Sequence, residues 1–295
     1  MRKKFRQLLT SGEFFIAPGA YDALTARLVE RAGFEVVYAT GAGISNSQLA
    51  MPDIGLCTMN EILEQTRKMV SAVQIPLVAD IDTGFGNAVN LYRTIREFER
   101  AGAAALQIED QVSPKRCGHF NGKQIVPFDE AVAKIKAAVE AREDPNLTII
   151  ARTDAIAVAG MDEAMRRAKA FLEAGADMLF VEAPNSREEL AFAGQYLPGL
   201  KIANIVEGGR TPVVSAQDLA DMGYCMALYA NLVLRSSVFA IQRNLAHLKE
   251  KGDTQDLFDQ IITMDERASV TNKELFDDIE LRFVTNVVSE KVDAR

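Results

Sequence analysis

PLVADIDTGFGNAVNLYRTIREFERAGAAALQIED, residues 76–110, holds the pattern on which the fold turns. A short apolar run, PLVADID (76–82), leads through a glycine-rich turn into LYRTIREFERAGA (91–103), where apolar residues recur at helical spacing, and a second apolar run, AALQIED (104–110), follows. The helical stretch closes on ERAGA (99–103), whose glycine can take the left-handed conformation that stops a helix before the next strand. The same stop returns as ERAGF (30–34) and EAGAD (173–177).

Outward from this unit the pattern repeats. FFIAPG (14–19), EVVYAT (35–40), TIIARTD (148–154), MLFVEA (178–183), KIANIV (201–206) and MALYA (226–230) bring the predicted strands to eight, with helical stretches such as FDEAVAKIKAAVEARE (128–143) between them. A repeated strand–helix unit demands a parallel sheet, and strands this apolar suit burial on both faces. Eight such units predict closure into an α/β fold of the (β/α)8 TIM-barrel type, with an open doubly wound sheet as the alternative. Three helical stretches follow, SSVFAIQRNLAHLKEKG (236–252), TQDLFDQIITMDERA (254–268) and NKELFDDIELRFV (272–284). The expected organisation is a barrel over 1–240 and a C-terminal helical extension over 241–295, packed on the barrel or on a neighbouring subunit.

Composition narrows the function classes. With 33 basic against 41 acidic residues the net charge is -8, which argues against nucleic acid or an anionic membrane as partner and favours a small molecule. The first residues, MRKKFRQLLTSGEFF, lack the apolar core of about 7–15 residues of a secretory signal, and no run approaches the roughly 20 needed to span a bilayer. Three cysteines, Cys57, Cys117 and Cys225, form neither an even disulfide set nor a CxxC pair, so a reducing, cytoplasmic location is expected.

Nearly every predicted strand turns polar at its C-terminal end: Tyr38 and Thr40, Asp80 and Asp82, Glu109 and Asp110, Arg152 and Asp154, Glu182, Asn204 and Glu207, Tyr229. In a barrel these ends converge on the mouth where barrel enzymes place their chemistry. Asp80 and Asp82, two apart on one strand, should face the same way, with Glu109 at the end of the next. Three carboxylates together need a shared proton or a cation, and an all-oxygen set suits Mg2+, or Mn2+, better than Zn2+; salt bridges to Arg152 or Lys115 are the structural alternative. The loop SPKRCGHFNGK (113–123) carries a cysteine among Lys115, Arg116, His119 and Lys123, a setting that lowers a thiol pKa and draws a carboxylate, so Cys117 can serve as acid or nucleophile. YATGAGIS (38–45) offers backbone amides to a ligand carboxylate through its small residues. No GxGxxG or GxxxxGK[ST] spacing occurs, which weighs against dinucleotides and nucleoside triphosphates. Cys57, Cys225 and His247 read as structural.

KRCGH (115–119), together with MPDIG (51–55), ADIDTGFGN (79–87), QIEDQ (107–111), IIARTDA (149–155), FVEA (180–183) and ANIVEGG (203–209), resembles the isocitrate lyase and phosphoenolpyruvate mutase superfamily, and within it the methylisocitrate and dimethylmalate lyase-like branch. The likeness runs from about residue 5 to 285, and KRCGH is similar to the signature of the lyases, whereas the phosphonopyruvate mutases lack the cysteine. The resemblance implies that Asp80 ligates Mg2+ directly, that Asp82 and Glu109 hold the metal or its waters, and that Asp53 is a further acidic neighbour. It also implies that Thr40, Gly41, Ala42 and Gly118 meet an α-keto acid carboxylate clamped by Arg152. Cys117 would be the catalytic acid, Lys115 and His119 its polarising neighbours, and Tyr38 the group handling the hydroxyl proton, with Glu182, Asn204 and Arg235 facing the substrate. A closing loop around Cys117, an exchanged final helix and a homotetramer are implied as well.

The activity implied is metal-dependent cleavage of a carbon–carbon bond in a small 2-hydroxy di- or tricarboxylate, giving a keto acid such as pyruvate and a second carboxylic acid. Gln107 stands where methylisocitrate lyases often have histidine, Ala42 replaces a glycine, and Met264 occupies a position where those enzymes use an arginine for the third carboxylate, with Arg267 a possible substitute. Loss of that cation favours a dicarboxylate of the 2,3-dimethylmalate type over methylisocitrate. ALYANLVLRSS (227–237) is closer to the mutase branch. A carboxyphosphonoenolpyruvate or phosphoenolpyruvate mutase and an oxaloacetate decarboxylase or hydrolase are therefore the alternatives, with a non-catalytic metabolite-binding barrel as a further one.

Overall fold

The computed structural model describes residues 1–118 and 120–284, which fall into two compact units divided after Val238. The first is a closed barrel of eight parallel strands in sequential order: β1 Phe15–Ala20, β2 Val37–Ala39, β3 Leu77–Asp80, β4 Ala105–Glu109, β5 Thr148–Thr153, β6 Met178–Val181, β7 Leu200–Asn204 and β8 Met226–Tyr229. The seam closes between β1 and β8, with Phe15 opposite Met226 and Pro18 opposite Tyr229, so the open doubly wound sheet is excluded. The glycines of the three helix stops behave as expected: Gly33, Gly102 and Gly175 have φ of 89, 95 and 101°.

Two apolar layers hold the barrel. Inside lie Ala17, Tyr38, Val78, Ala105, Ile150, Phe180 and Ile202. Between strands and outer helices Ile95, Phe98, Leu106, Ile135, Ile149 and Phe171 form the larger layer. The helix Arg2–Ser11 adds to the inner layer, because its buried Phe5 meets Phe15 edge-on with ring centroids 6.2 Å apart. At the other end, Asn87 caps the helix Ala88–Arg100 by accepting from the Val89 and Asn90 amides, and the residues before it, Gly84 to Gly86, all have positive φ.

Three local readings are corrected. β3 ends at Asp80, and Asp82 lies beyond it with φ 48°, its amide donating to Asp80 Oδ1 at 3.1 Å; the turn, rather than strand alternation, brings the two acids together. The stretch after β2 is a helix, Gly41–Leu49, and not merely a small-residue turn. In the second unit, residues 254–268 are not one helical stretch, for a short 3-10 turn at Gln255–Leu257 is followed by a new helix at Met264–Val270. Thr263 and Glu266 form a reciprocal capping box there, satisfying two otherwise unpaired amides and fixing a helix start. The last described helix is Lys273–Phe283, and no helix among the described residues is long and apolar enough to cross a membrane.

Candidate active site

The C-terminal strand ends surround a cleft of about 410 Å³, open solvent included. Tyr38, Thr40, Ala42, Asp53 and Asp80 line one side, and Arg152, Glu182 and Asn204 the other, with Lys115, Cys117 and Gly118 contributed by the loop after β4. Local structure explains the first group. Thr40 follows β2 directly and precedes the helix Gly41–Leu49, yet its hydroxyl makes no capping bond, so hydroxyl and first-turn amides are available together. Gly41 is required by proximity, since a Cβ there would lie 3.1 Å from Asp80 Oδ2 and 3.3 Å from Asp82 Oδ1.

The acids differ in their partners. Asp82 receives the buried Lys115 ammonium at 3.0 Å, and the same ammonium stands 2.5 Å from Asp53. Burial pulls the Lys115 pKa down, but Asp82, Asp53, Glu109 and Asp80 outweigh it and hold the group well above the usual lysine range. Asp80 accepts from Gln107 Nε2 at 3.3 Å, and Gln107 Oε1 in turn accepts from the Tyr38 hydroxyl. Burial and the neighbouring Asp82 push Asp80 up to about 6 in spite of Lys115 and Arg152. Burial and Asp80 likewise push the Tyr38 phenol well above its ordinary value, so it stands as a neutral donor and not as a ready base.

Glu109 is the outlier. It is 2% exposed, neither carboxylate oxygen accepts a hydrogen bond, and its ion pair with Arg152 Nη1 is 3.4 Å long. Burial drives its pKa well above the usual carboxylate range. A buried carboxylate without donors costs on the order of a few kcal/mol, which a divalent cation or its bound waters would offset. Among the described residues no three histidine, cysteine or acidic side chains form a closed metal cage. A hard cation such as Mg2+ takes oxygen ligands from one or two carboxylates and keeps several waters. Asp80 and Glu109, with Asp82 beside them, are an all-oxygen donor set of that kind.

Arg152 is the positive counterpart. Its Nε and Nη2 reach Asp154 at 2.9 and 3.0 Å, its guanidinium lies 5.2 Å from the Phe180 ring centroid, and Glu182 is 3.9 Å away. Burial works against the charge, but Asp154, Glu182 and Glu109 keep it in place. Asn204 Nδ2 donates to Glu182 at 3.3 Å, which orients that carboxylate. Gly118 packs directly on this pair, because a Cβ there would fall 2.7 Å from Arg152 Nη2 and from Glu182 Cδ.

Several sequence-derived positions lie elsewhere. Glu109, Asp82 and Gly41 do not line the cleft themselves. Asp110, at a strand end, serves the scaffold: it accepts from Thr153 Oγ1 at 2.7 Å, the Asp154 amide at 2.9 Å and Arg167 at 3.0 Å. Arg235 is also outside the cleft lining; its side chain is 56% exposed and paired with Glu207, whose backbone oxygen is 2.5 Å away. His119 lies outside the described residues. Cys57 is buried and burial raises its thiol pKa, while the Cys225 thiol donates to Lys201 O at 3.3 Å, in keeping with structural roles. Cys117 is half-buried, its amide held by Asp53 O at 3.0 Å. Leu228, Ala230 and Asn231 line the cleft and were missed. Alternation along β8 and the residue after it turns Leu228 and Ala230 inward, on the side opposite to Tyr229.

Comparison with known proteins follows the same lines. Residues 5–249 match the profile of the phosphoenolpyruvate phosphomutase family. A 2,3-dimethylmalate lyase of Eubacterium barkeri is 43% identical over 282 residues, covering 96% of this chain and 98% of its own. A 2-methylisocitrate lyase of Aeropyrum pernix is 43% identical over 261 residues, covering 88% and 84%. Among solved structures, an oxaloacetate acetylhydrolase in complex with 3,3-difluorooxalacetate superposes with a TM-score of 0.91 at 31% identity, covering 97% of this chain and 98% of its own.

Proposed function

Since the chain belongs to the phosphoenolpyruvate phosphomutase family, within the superfamily it shares with isocitrate lyase, we propose that it is a carbon–carbon lyase acting on a small 2-hydroxy dicarboxylate of the 2,3-dimethylmalate type. The observation that carries this reading is the meeting of Cys117, Asp80 and Arg152 around one cleft. Asp80 and Glu109 would hold Mg2+, with Mn2+ as substitute, and Asp82 its waters. When bound, the cation supplies positive charge that lowers the pKa of the substrate hydroxyl.

The chain's own groups do the rest. Arg152 and the amides of Gly41 and Ala42 bind the carboxylate beside the reacting carbon, with Thr40 as a further donor. The hydroxyl proton leaves toward the buried acidic cluster, of which Asp80 is the carboxylate at the cleft wall. The carbon–carbon bond breaks, its former hydroxyl carbon becomes the keto carbon, and the electron pair passes to the departing carbon. Cys117 gives that carbon its proton, while Lys115 and Arg152 offset the negative charge; each such placed donor is worth about 3–4 kcal/mol. Tyr38 orients the site as a neutral donor through Gln107. The products are a keto acid and a saturated carboxylic acid.

The dicarboxylate choice follows from the sequence, where Met264 stands at the position at which the resemblance to methylisocitrate lyases implies an arginine for a third carboxylate. The similarity to an oxaloacetate acetylhydrolase, 31% identical over 97% of this chain, makes hydrolysis of oxaloacetate the second reading. Incubation with Mg2+ and a panel of 2-hydroxy acids, following keto acid release, separates them: the lyase releases pyruvate from 2,3-dimethylmalate, and Cys117→Ser slows it by about 100-fold or more, the usual loss for a general acid. Release of oxalate and acetate from oxaloacetate alone would replace the lyase with the hydrolase.

A further inference from the structure

Lys123 takes no part in the chemistry outlined above, yet it is buried and placed between the two halves of the site. Its ammonium donates to the Gly118 carbonyl, one residue from Cys117, and to Asp154 Oδ1 at 3.0 Å. Asp154 holds Arg152 through both carboxylate oxygens, at 2.9 and 3.0 Å. Gly118 in turn lies against Arg152 and Glu182 so closely that no Cβ fits. The contacts run in a ring, Gly118 to Lys123 to Asp154 to Arg152 and back. Asp154 is itself fixed from below, where its amide donates to Asp110 and burial is outweighed by Arg152 and Lys123, which hold its carboxyl below the usual range.

We propose that Lys123 is a positioning residue that ties the seat of the Cys117 loop to the seat of Arg152, so that the thiol is delivered to the cleft only while the carboxylate clamp is set. A charge-assisted bond inside a buried network is stronger than a surface one and aligns its partners more narrowly. Without Lys123, Asp154 keeps Arg152 but the Gly118 carbonyl loses its donor, and the loop is released from β5. The kinetic part of this inference rests on the proposed role of Cys117; the structural part does not.

The test is alkylation of Cys117 by iodoacetamide, read by peptide mass spectrometry, in wild type, Lys123→Met and Lys123→Arg. Loss of one buried charge-assisted bond should speed alkylation roughly ten- to a hundredfold in Lys123→Met, with Lys123→Arg restoring most of the protection. On an Asp154→Asn background Lys123→Met should add little, because the two act as one unit. In the lyase assay kcat should fall with KM nearly unchanged. Equal alkylation rates in folded wild type and Lys123→Met would overturn the proposal. If Lys123→Met loses its circular dichroism signature, the same comparison in Lys123→Gln, one atom shorter and polar but without the charge, carries the same two outcomes. A wild type without lyase activity would refute the reading of function while leaving the alkylation result standing.

Discussion

At the scale of single residues, the site is defined by how little room it leaves. Gly118 is fixed by sterics, since Arg152 Nη2 and Glu182 Cδ occupy the place of a Cβ at 2.7 Å, and those atoms are tethered by Asp154 and Asn204. Gly118→Ala must therefore move either the loop or the clamp. It is expected to lower kcat/KM by about 10- to 100-fold, the order of loss that a misplacement of about 1 Å produces, with little change in melting temperature; steady-state kinetics beside a thermal melt checks both. Glu109 teaches a complementary lesson. Its carboxylate has no hydrogen-bond donor at 2% exposure, and such a group is stabilised either by a proton, toward which burial drives it, or by the proposed cation.

Elements of secondary structure were legible where period and punctuation agreed. Leu91, Ile95 and Phe98 are wholly buried on the helix Ala88–Arg100, and Gly102 stops it, so strand, helix and stop could all be read from residues 76–110. The paired acids after β3 were legible as residues but not as geometry: alternation would have placed them on one strand, whereas a left-handed Asp82 closes a turn on Asp80. Such a backbone leaves no periodic trace. The end of β8 is legible in the same partial way: Tyr229 carries the polar group, but the cleft wall is made by apolar Leu228 and, just past the strand, Ala230. Lys123 was visible only as one more cation in a basic loop; burial, which sequence does not display, sets it apart. The N-terminal helix yields a prediction at this scale. Phe5, fully buried against Phe15, should cost about 3–5 kcal/mol when cut to alanine. Denaturant melts should show that loss, while Mg2+ affinity at the proposed site at the opposite strand ends is kept.

For the whole molecule, the second unit presents apolar side chains that a lone chain has no use for. Phe239, Phe258, Phe276, Leu281 and Phe283 are each more than half exposed, and the helix Lys273–Phe283 has no buried residue. A surface of this kind marks an interaction site. We propose that further copies of this chain cover it, in a homotetramer, and sedimentation equilibrium should give about four times the 32.3 kDa chain mass; the double substitution of Phe276 and Leu281 to glutamate should lower that mass. The acidic balance, -8 overall, extends into the cleft, where Asp53, Asp80 and Glu182 stand beside Arg152 and Lys115, so these two buried cations are the groups that would meet an anionic substrate. The central claim is carbon–carbon cleavage with a proton returned to the departing carbon. It is tested most directly by turning over 2,3-dimethylmalate with Mg2+ in D2O and weighing the products. The account predicts one pyruvate per substrate and one deuterium on the propionate carbon next to the carboxylate, with the yield collapsing in Cys117→Ser. No pyruvate, or an undiminished rate in that variant, would contradict it.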